Sequence, residues 1–192
     1  MSVGLEKGKL INMRFRIHIF SLIVFISIFF ACENDLNTVK QVTFKSSDPD
    51  ERTQNIHLIY SDSGIAKVEL NAKLAETYNK PKKVIKFKDG LVINFYSSEG
   101  KIESVLTALY GEISQEDGLM IVRDSVRLRN LNKKQVLESE ELHWNQKTEA
   151  INTNKPVLVR SDGGLFYGDG IRTSQDFKVY EFIKPKGTIK LN

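Results

Sequence analysis

From Ile56 onward the chain alternates apolar and polar residues with a period of two. Ala66, Val68, Leu70, Ala72 and Leu74 alternate with Lys67, Glu69, Asn71 and Lys73. A strand points successive side chains to opposite faces, so one face of this segment is apolar and the other wet. Strand-like runs recur at Val84 to Phe87, Leu91 to Tyr96, Ile102 to Tyr110, Leu119 to Val122, Val126 to Asn130, Gln135 to Trp144, Pro156 to Val159, Gly164 to Thr173, Lys178 to Ile183 and Gly187 to Leu191. Turn signals separate them: Asp89-Gly90, Glu99-Gly100, Asp117-Gly118, Asn130 to Lys133 and Asp162-Gly163-Gly164. No segment carries a helical stripe. The pattern predicts an all-β domain, as a sandwich, roll or open barrel.

A repeat sharpens that expectation. Tyr60-Ser61, Gly64, Leu70 and Ala72 recur 36 residues later as Tyr96-Ser97, Gly100, Leu106 and Ala108. The shared turn and the shared inward Leu and Ala predict two stacked copies of one hairpin, whose neighbours bury a continuous apolar face. A stacked roll also leaves its first and last strands as open edges, which are templates for pairing with another chain.

Upstream the pattern changes. Ile17 to Cys32 is an apolar run preceded by Arg14 and Arg16 and ending in Ala31 before the only cysteine. Basic flank, apolar middle and small residue make an export signal, and the run is shorter than the roughly 20 residues that span a bilayer. Its end resembles a bacterial lipobox, with Phe29 where Leu is usual, which implies cleavage before Cys32 and lipid on its thiol. The other reading is an uncleaved membrane anchor. Residues 1–31 thus form the signal, whose true start lies at Met1 or Met13, and residues 32–55 a lipidated N-terminus and polar tether. The β domain is expected over residues 56–192. Gln41 to Phe44 is a candidate short strand within the tether.

Charge matters only after that division. The whole chain carries a net +4, but residues 1–31 hold four of the basic side chains and one acidic one, leaving 24 basic against 23 acidic. A nucleic-acid surface needs a one-sided basic stripe, and this balance gives no support for one. Lipidation of Cys32 leaves no thiol, and only His57 and His143 remain beyond the signal. A zinc site wants three or four Cys, His or carboxylate ligands, so no metal or other cofactor is expected.

Candidate chemistry is thin. Gly168-Asp169-Gly170 suggests a dinucleotide loop, but a strand pattern rather than a helix follows it, so glycines at a bend or close packing point are expected. Glu138, Glu140 and Glu141 with Asp124 supply carboxylates of the kind that cleave glycosides. A solvated strand face explains them as well. His143-Trp144 reads as a half-buried pair on a strand. No nucleophile elbow, phosphate loop or acid–base triad occurs, so no enzyme is expected; an apolar interior open at its ends suits acyl chains instead.

Leu142, Trp144, Ile151, Thr153, Pro156-Val157, Val159, Gly168, Gly170-Ile171, Phe177, Tyr180 and Gly187 resemble the pattern of the LptC family, the periplasmic inner-membrane component of lipopolysaccharide export. The resemblance covers about Ile56 to Leu191. It implies a twisted β-jelly roll of two facing antiparallel sheets around a groove for lipid A acyl chains. Implied partners are lipopolysaccharide, the jelly-roll subunits of the inner-membrane ABC transporter and an LptA-like periplasmic bridge protein. Alternation offers Val68, Leu70, Leu106, Val126, Leu128 and Leu142 as groove residues. Ile56 and Leu58 would lie on the edge toward the transporter, and Thr188, Ile189 and Leu191 on the edge toward the bridge. The expected location is the periplasmic face of the inner membrane, held by lipid on Cys32 or by the uncleaved segment. A cell-surface glycan-binding lipoprotein using Tyr96, Tyr110 and Trp144 is the alternative.

Overall fold

The structure is a computed structural model that describes residues 47–187. It is all-β, and no helix occurs among the described residues. Ten strands run in order: β1 (Glu51–Asp62), β2 (Ile65–Tyr78), β3 (Val84–Tyr96), β4 (Ile102–Ala108), β5 (Tyr110–Ser114), β6 (Leu119–Asn130), β7 (Gln135–Asn145), β8 (Ala150–Ser161), β9 (Gly164–Ser174) and β10 (Tyr180–Lys186). All join one antiparallel sheet in sequence order, and β4 and β5 are two pieces of one broken strand, each pairing β3 and β6. The two facing layers expected from the jelly roll are therefore one continuous meander turned over on itself. Its edges are β1 and β10.

What turns it over is a row of irregularities at one level. Lys73 of β2 opposes two residues of β3, Asp89 and Gly90, both with positive φ. Next comes Leu109, the break between β4 and β5, whose carbonyl accepts from the Gly90 amide and whose amide donates to the Asp124 carbonyl. Asp124-Ser125, again with positive φ, oppose Glu140 of β7, and Asn154-Lys155 of β8 oppose Gly170 of β9. Two residues against one is a β-bulge, which bends a strand and increases its twist. Bulges aligned across neighbouring strands crease the whole sheet.

The crease divides each strand between a Gly64 end, with turns at residues 63–64, 97–101, 131–134 and 162–163, and a Pro81 end, with turns at 79–83, 115–118, 146–149 and 175–179. Phe95 of β3 lies toward the Gly64 end and Trp144 of β7 toward the Pro81 end. Folding brings their rings edge to face at 5.2 Å. Phe87, Ile93, Met120, Leu137, Ile151 and Ile171 complete the sealed interior.

Several expectations shift in detail. Glu51 to Asn55, read as tether, form the first part of β1. The runs 119–122 and 126–130 are one strand through the Asp124-Ser125 bulge, and β5 continues past Tyr110 to Ser114. The repeat corresponds to hairpins β1–β2 and β3–β4, with Leu70, Ala72, Leu106 and Ala108 all buried inward. Their registers differ by one residue: Leu70 faces Leu58, whereas Leu106 faces Ile93, one position short of the repeat equivalent. Cys32, the candidate strand at Gln41 to Phe44, and Thr188, Ile189 and Leu191 lie outside the described residues.

Gly168 and Gly170 sit where β9 meets β10 and β8. A Cβ on Gly168 would clash with the Phe182 ring, and one on Gly170, at φ +87°, would fall 2.9 Å from the Thr153 carbonyl oxygen. They are packing glycines in a strand, not a phosphate loop.

Candidate functional site

Side chains opposite one another in an antiparallel pair share a face, so the register sorts inner from outer positions. Val68, Leu70, Leu106, Val126, Leu128 and Leu142 all fall inside. They divide into two groups. Leu106, Val126, Leu128 and Leu142 are at most 1% exposed, within the closed interior, whereas Val68 and Leu70, at 6% and 7%, lie next to the edge strand.

The interior opens at β1. Ile56, Leu58 and Tyr60 face Ala72, Leu70 and Val68 across the ladder and so share their inner face. Leu58 nevertheless remains 49% exposed and Tyr60 50%. Beside them, a cavity of about 430 Å³ is lined by Ile56, Leu58, Ala75, Ile85 and Phe87 and equally by polar residues, among them Glu51, Thr53, Thr77, Lys83 and Gln115. It lies at the Pro81 end of β3. Alternation alone flagged the sealed leucines, but it missed this mouth, whose signal is the apolar run Leu58-Ile59-Tyr60 on a terminal strand.

Polar side chains on the outer face are satisfied by one another. Glu69 accepts from Tyr96 Oη at 2.6 Å, Asn94 Nδ2 at 2.9 Å and Asn71 Nδ2 at 3.3 Å, and lies 2.8 Å from His57 Nε2. These bonds, Tyr96 foremost, hold its carboxyl down at about 2. Glu76 is buried between Lys88 Nζ at 2.6 Å, Tyr78 Oη at 2.9 Å and Arg52 Nε at 3.0 Å. The Lys88 bond leads in keeping it below the ordinary carboxylate range.

Of the carboxylates weighed for catalysis, Glu138 and Glu140 line one surface cavity beside Arg127, and Glu138 and Glu141 are held in ion pairs. Glu138 bridges Arg127 and Arg160, at 3.1 and 3.4 Å, while Glu141 meets Arg123 at 3.3 Å and His143 at 2.9 Å. His143 holds Glu141 below its usual range. No group of three or more potential metal ligands occurs among the described residues. Nor do the aromatics offered for glycan binding make a platform. Trp144 is 3% exposed and donates to Gln175 Oε1, and Tyr96 and Tyr110 direct their hydroxyls to Glu69 and Glu112. The expectation of a half-buried His143-Trp144 pair is corrected to a sealed Trp144 beside a surface His143, because the ladder alternates their faces.

Among the described residues no helix is long and apolar enough to cross a membrane. No curated protein matches the chain. A family described as "Lipopolysaccharide-assembly, LptC-related" matches residues 19–188. That span takes in all of the creased sheet and both of its edges, as well as most of the apolar run that precedes it. The family is one of periplasmic, inner-membrane-associated components of lipopolysaccharide transport, and its β-rich roll is the architecture found here. With its all-β meander, sealed apolar interior and open first edge, the chain belongs to the LptC family.

Proposed function

We propose that this protein receives lipopolysaccharide from the inner-membrane ABC transporter and passes it, without chemical change, along its interior to the next periplasmic bridge protein. One observation carries the reading: inner-face side chains of β1 that are apolar, exposed and adjacent to a cavity of about 430 Å³. Acyl chains prefer such a surface to water by about 0.8 kcal/mol for each CH₂ buried. Transport needs only binding of graded strength, and the transporter's ATPase supplies the energy. The polar outer face keeps the sugars and phosphates in water.

In this reading β1 meets the transporter's own roll and the C-terminal edge, at β10 and the residues after it, meets the bridge protein, in both cases by adding strands to an edge. Lipid on Cys32 holds the domain at the inner membrane. The test is photocrosslinking in living cells with a probe at Leu58 and a control probe at Asp162, exposed in the β8–β9 turn away from β1. A lipopolysaccharide adduct at Leu58 and none at Asp162 is expected; equal labelling at both would refute a specific groove.

A further inference from the structure

The roll is open at one end of β3 and stoppered at the other. β9 and β10 are joined by the turn Gln175 to Val179, which crosses the interior to reach the Gly64 ends of β4, β6 and β7. Its four successive carbonyls, from Gln175 to Lys178, each accept a hydrogen bond from a side chain of the opposite layer. Ser104 Oγ donates to Gln175 O, Asn130 Nδ2 to Asp176 O at 2.6 Å, Gln135 Nε2 to Phe177 O, and Lys133 Nζ to Lys178 O at 2.6 Å. Trp144 Nε1 holds the Gln175 side chain at 3.2 Å, and Lys178 Nζ lies 2.7 Å from Glu103. At the centre Phe177, in the left-handed region at φ 48°, is fully buried.

This attachment differs in kind from the rest of the fold. The sheet is held by backbone ladders, which cannot be undone singly. Across the roll the turn is held by side chains, and its backbone bond to the neighbouring turn, from the Gln175 amide to the Glu149 carbonyl at 2.8 Å, lies beyond the last β8–β9 pair, so the turn can lift without breaking a strand pair. Its released carbonyls would then be hydrated, and the apolar space Phe177 vacates is of the type an acyl chain fills. Beyond the turn, Phe177, Tyr180 and Phe182 form a line of rings at 5.5 and 5.6 Å spacing that leads along β10 to the second edge.

We propose that the Gln175 to Val179 turn is a gate: latched, it confines lipid to the β1 side of the interior, and unlatched, it admits lipid to the inner face of β10. The proposal rests on the groove reading above and adds a control point to it. Glu103→Cys with Lys178→Cys in the full chain, bridged by a short bismaleimide, locks the turn; each single-cysteine variant controls for reaction at Cys32. Photoprobes at Leu58 and Phe182 then report lipopolysaccharide on either side. Locking should cut the Phe182 adduct at least tenfold and leave the Leu58 adduct unchanged. Asn130→Ala with Gln135→Ala, which removes two latch donors, should raise the Phe182 adduct and speed amide exchange across residues 175–179. Unchanged Phe182 labelling in the locked chain, or loss at both probes, overturns the gate. No Leu58 adduct in the unlocked chain instead removes the groove reading beneath it.

Discussion

At the scale of single residues, Glu69 makes the sharpest prediction. Its carboxyl titrates near 4.5 when free and at about 2 in the fold. A depressed carboxylate contributes stability that is full above its free value and is lost as pH falls through the folded value. Thermal unfolding of the full chain should therefore show a decline between about pH 4.5 and 2 that Glu69→Gln lacks in part, the variant being less stable at neutral pH. The candidate groove residues separate by the same kind of reasoning. Leu106→Ala leaves a hole in a sealed core and should cost about 2–5 kcal/mol, measured by denaturant unfolding. Leu58→Ala, at a half-exposed site, should cost under about 1 kcal/mol while reducing lipopolysaccharide binding. A charge at Leu106, attractive from alternation alone as a way to block lipid, would disrupt the fold before it tested the groove.

At the scale of elements, the strands were readable because most of them keep one face apolar, and a period of two survives in any stretch free of bulges. What alternation misplaced lies at the crease. Asp124-Ser125 interrupts the pattern and splits β6 into two apparent strands, Leu109 hides the start of β5, and β1 begins among residues too polar to resemble a strand because both its faces meet water. The plug turn was invisible for a different reason. Ser104, Asn130 and Gln135 look like ordinary surface residues, and only the folded sheet brings them to one loop. The crease itself can be tested by comparing two glycines of similar φ. Gly64→Ala meets open space and should cost about 1 kcal/mol. Gly170→Ala adds a clash with the Thr153 carbonyl oxygen and should cost clearly more in the same unfolding assay. Phe177→Ala should cost about 3–5 kcal/mol, in keeping with its position at the centre of the latch.

At the scale of the whole molecule, the two edges are unlike. β1 spans 12 residues and presents Leu58, Ile59 and Tyr60 with neither Lys nor Pro, whereas β10 is 7 residues long and ends in Lys184, Pro185 and Lys186. Lysine and proline guard an edge against indiscriminate pairing, so β1 is the unguarded side. Ile59→Lys, at a site 57% exposed, should leave thermal unfolding unchanged and weaken copurification with the transporter. The same substitution should not reduce capture by the bridge protein, which the reading assigns to the other edge. The meander order has a consequence for assembly as well. Every strand pairs with partners close in sequence, and such local pairing favours fast folding. A chain threaded out N-terminus first can add each hairpin to the one already formed, leaving no long connection to be closed afterwards. Among the described residues the β9–β10 hairpin comes last in the chain, and its turn ties Ser104, Asn130 and Gln135 to the opposite layer, so this latch is set only after the strands it closes upon have already paired.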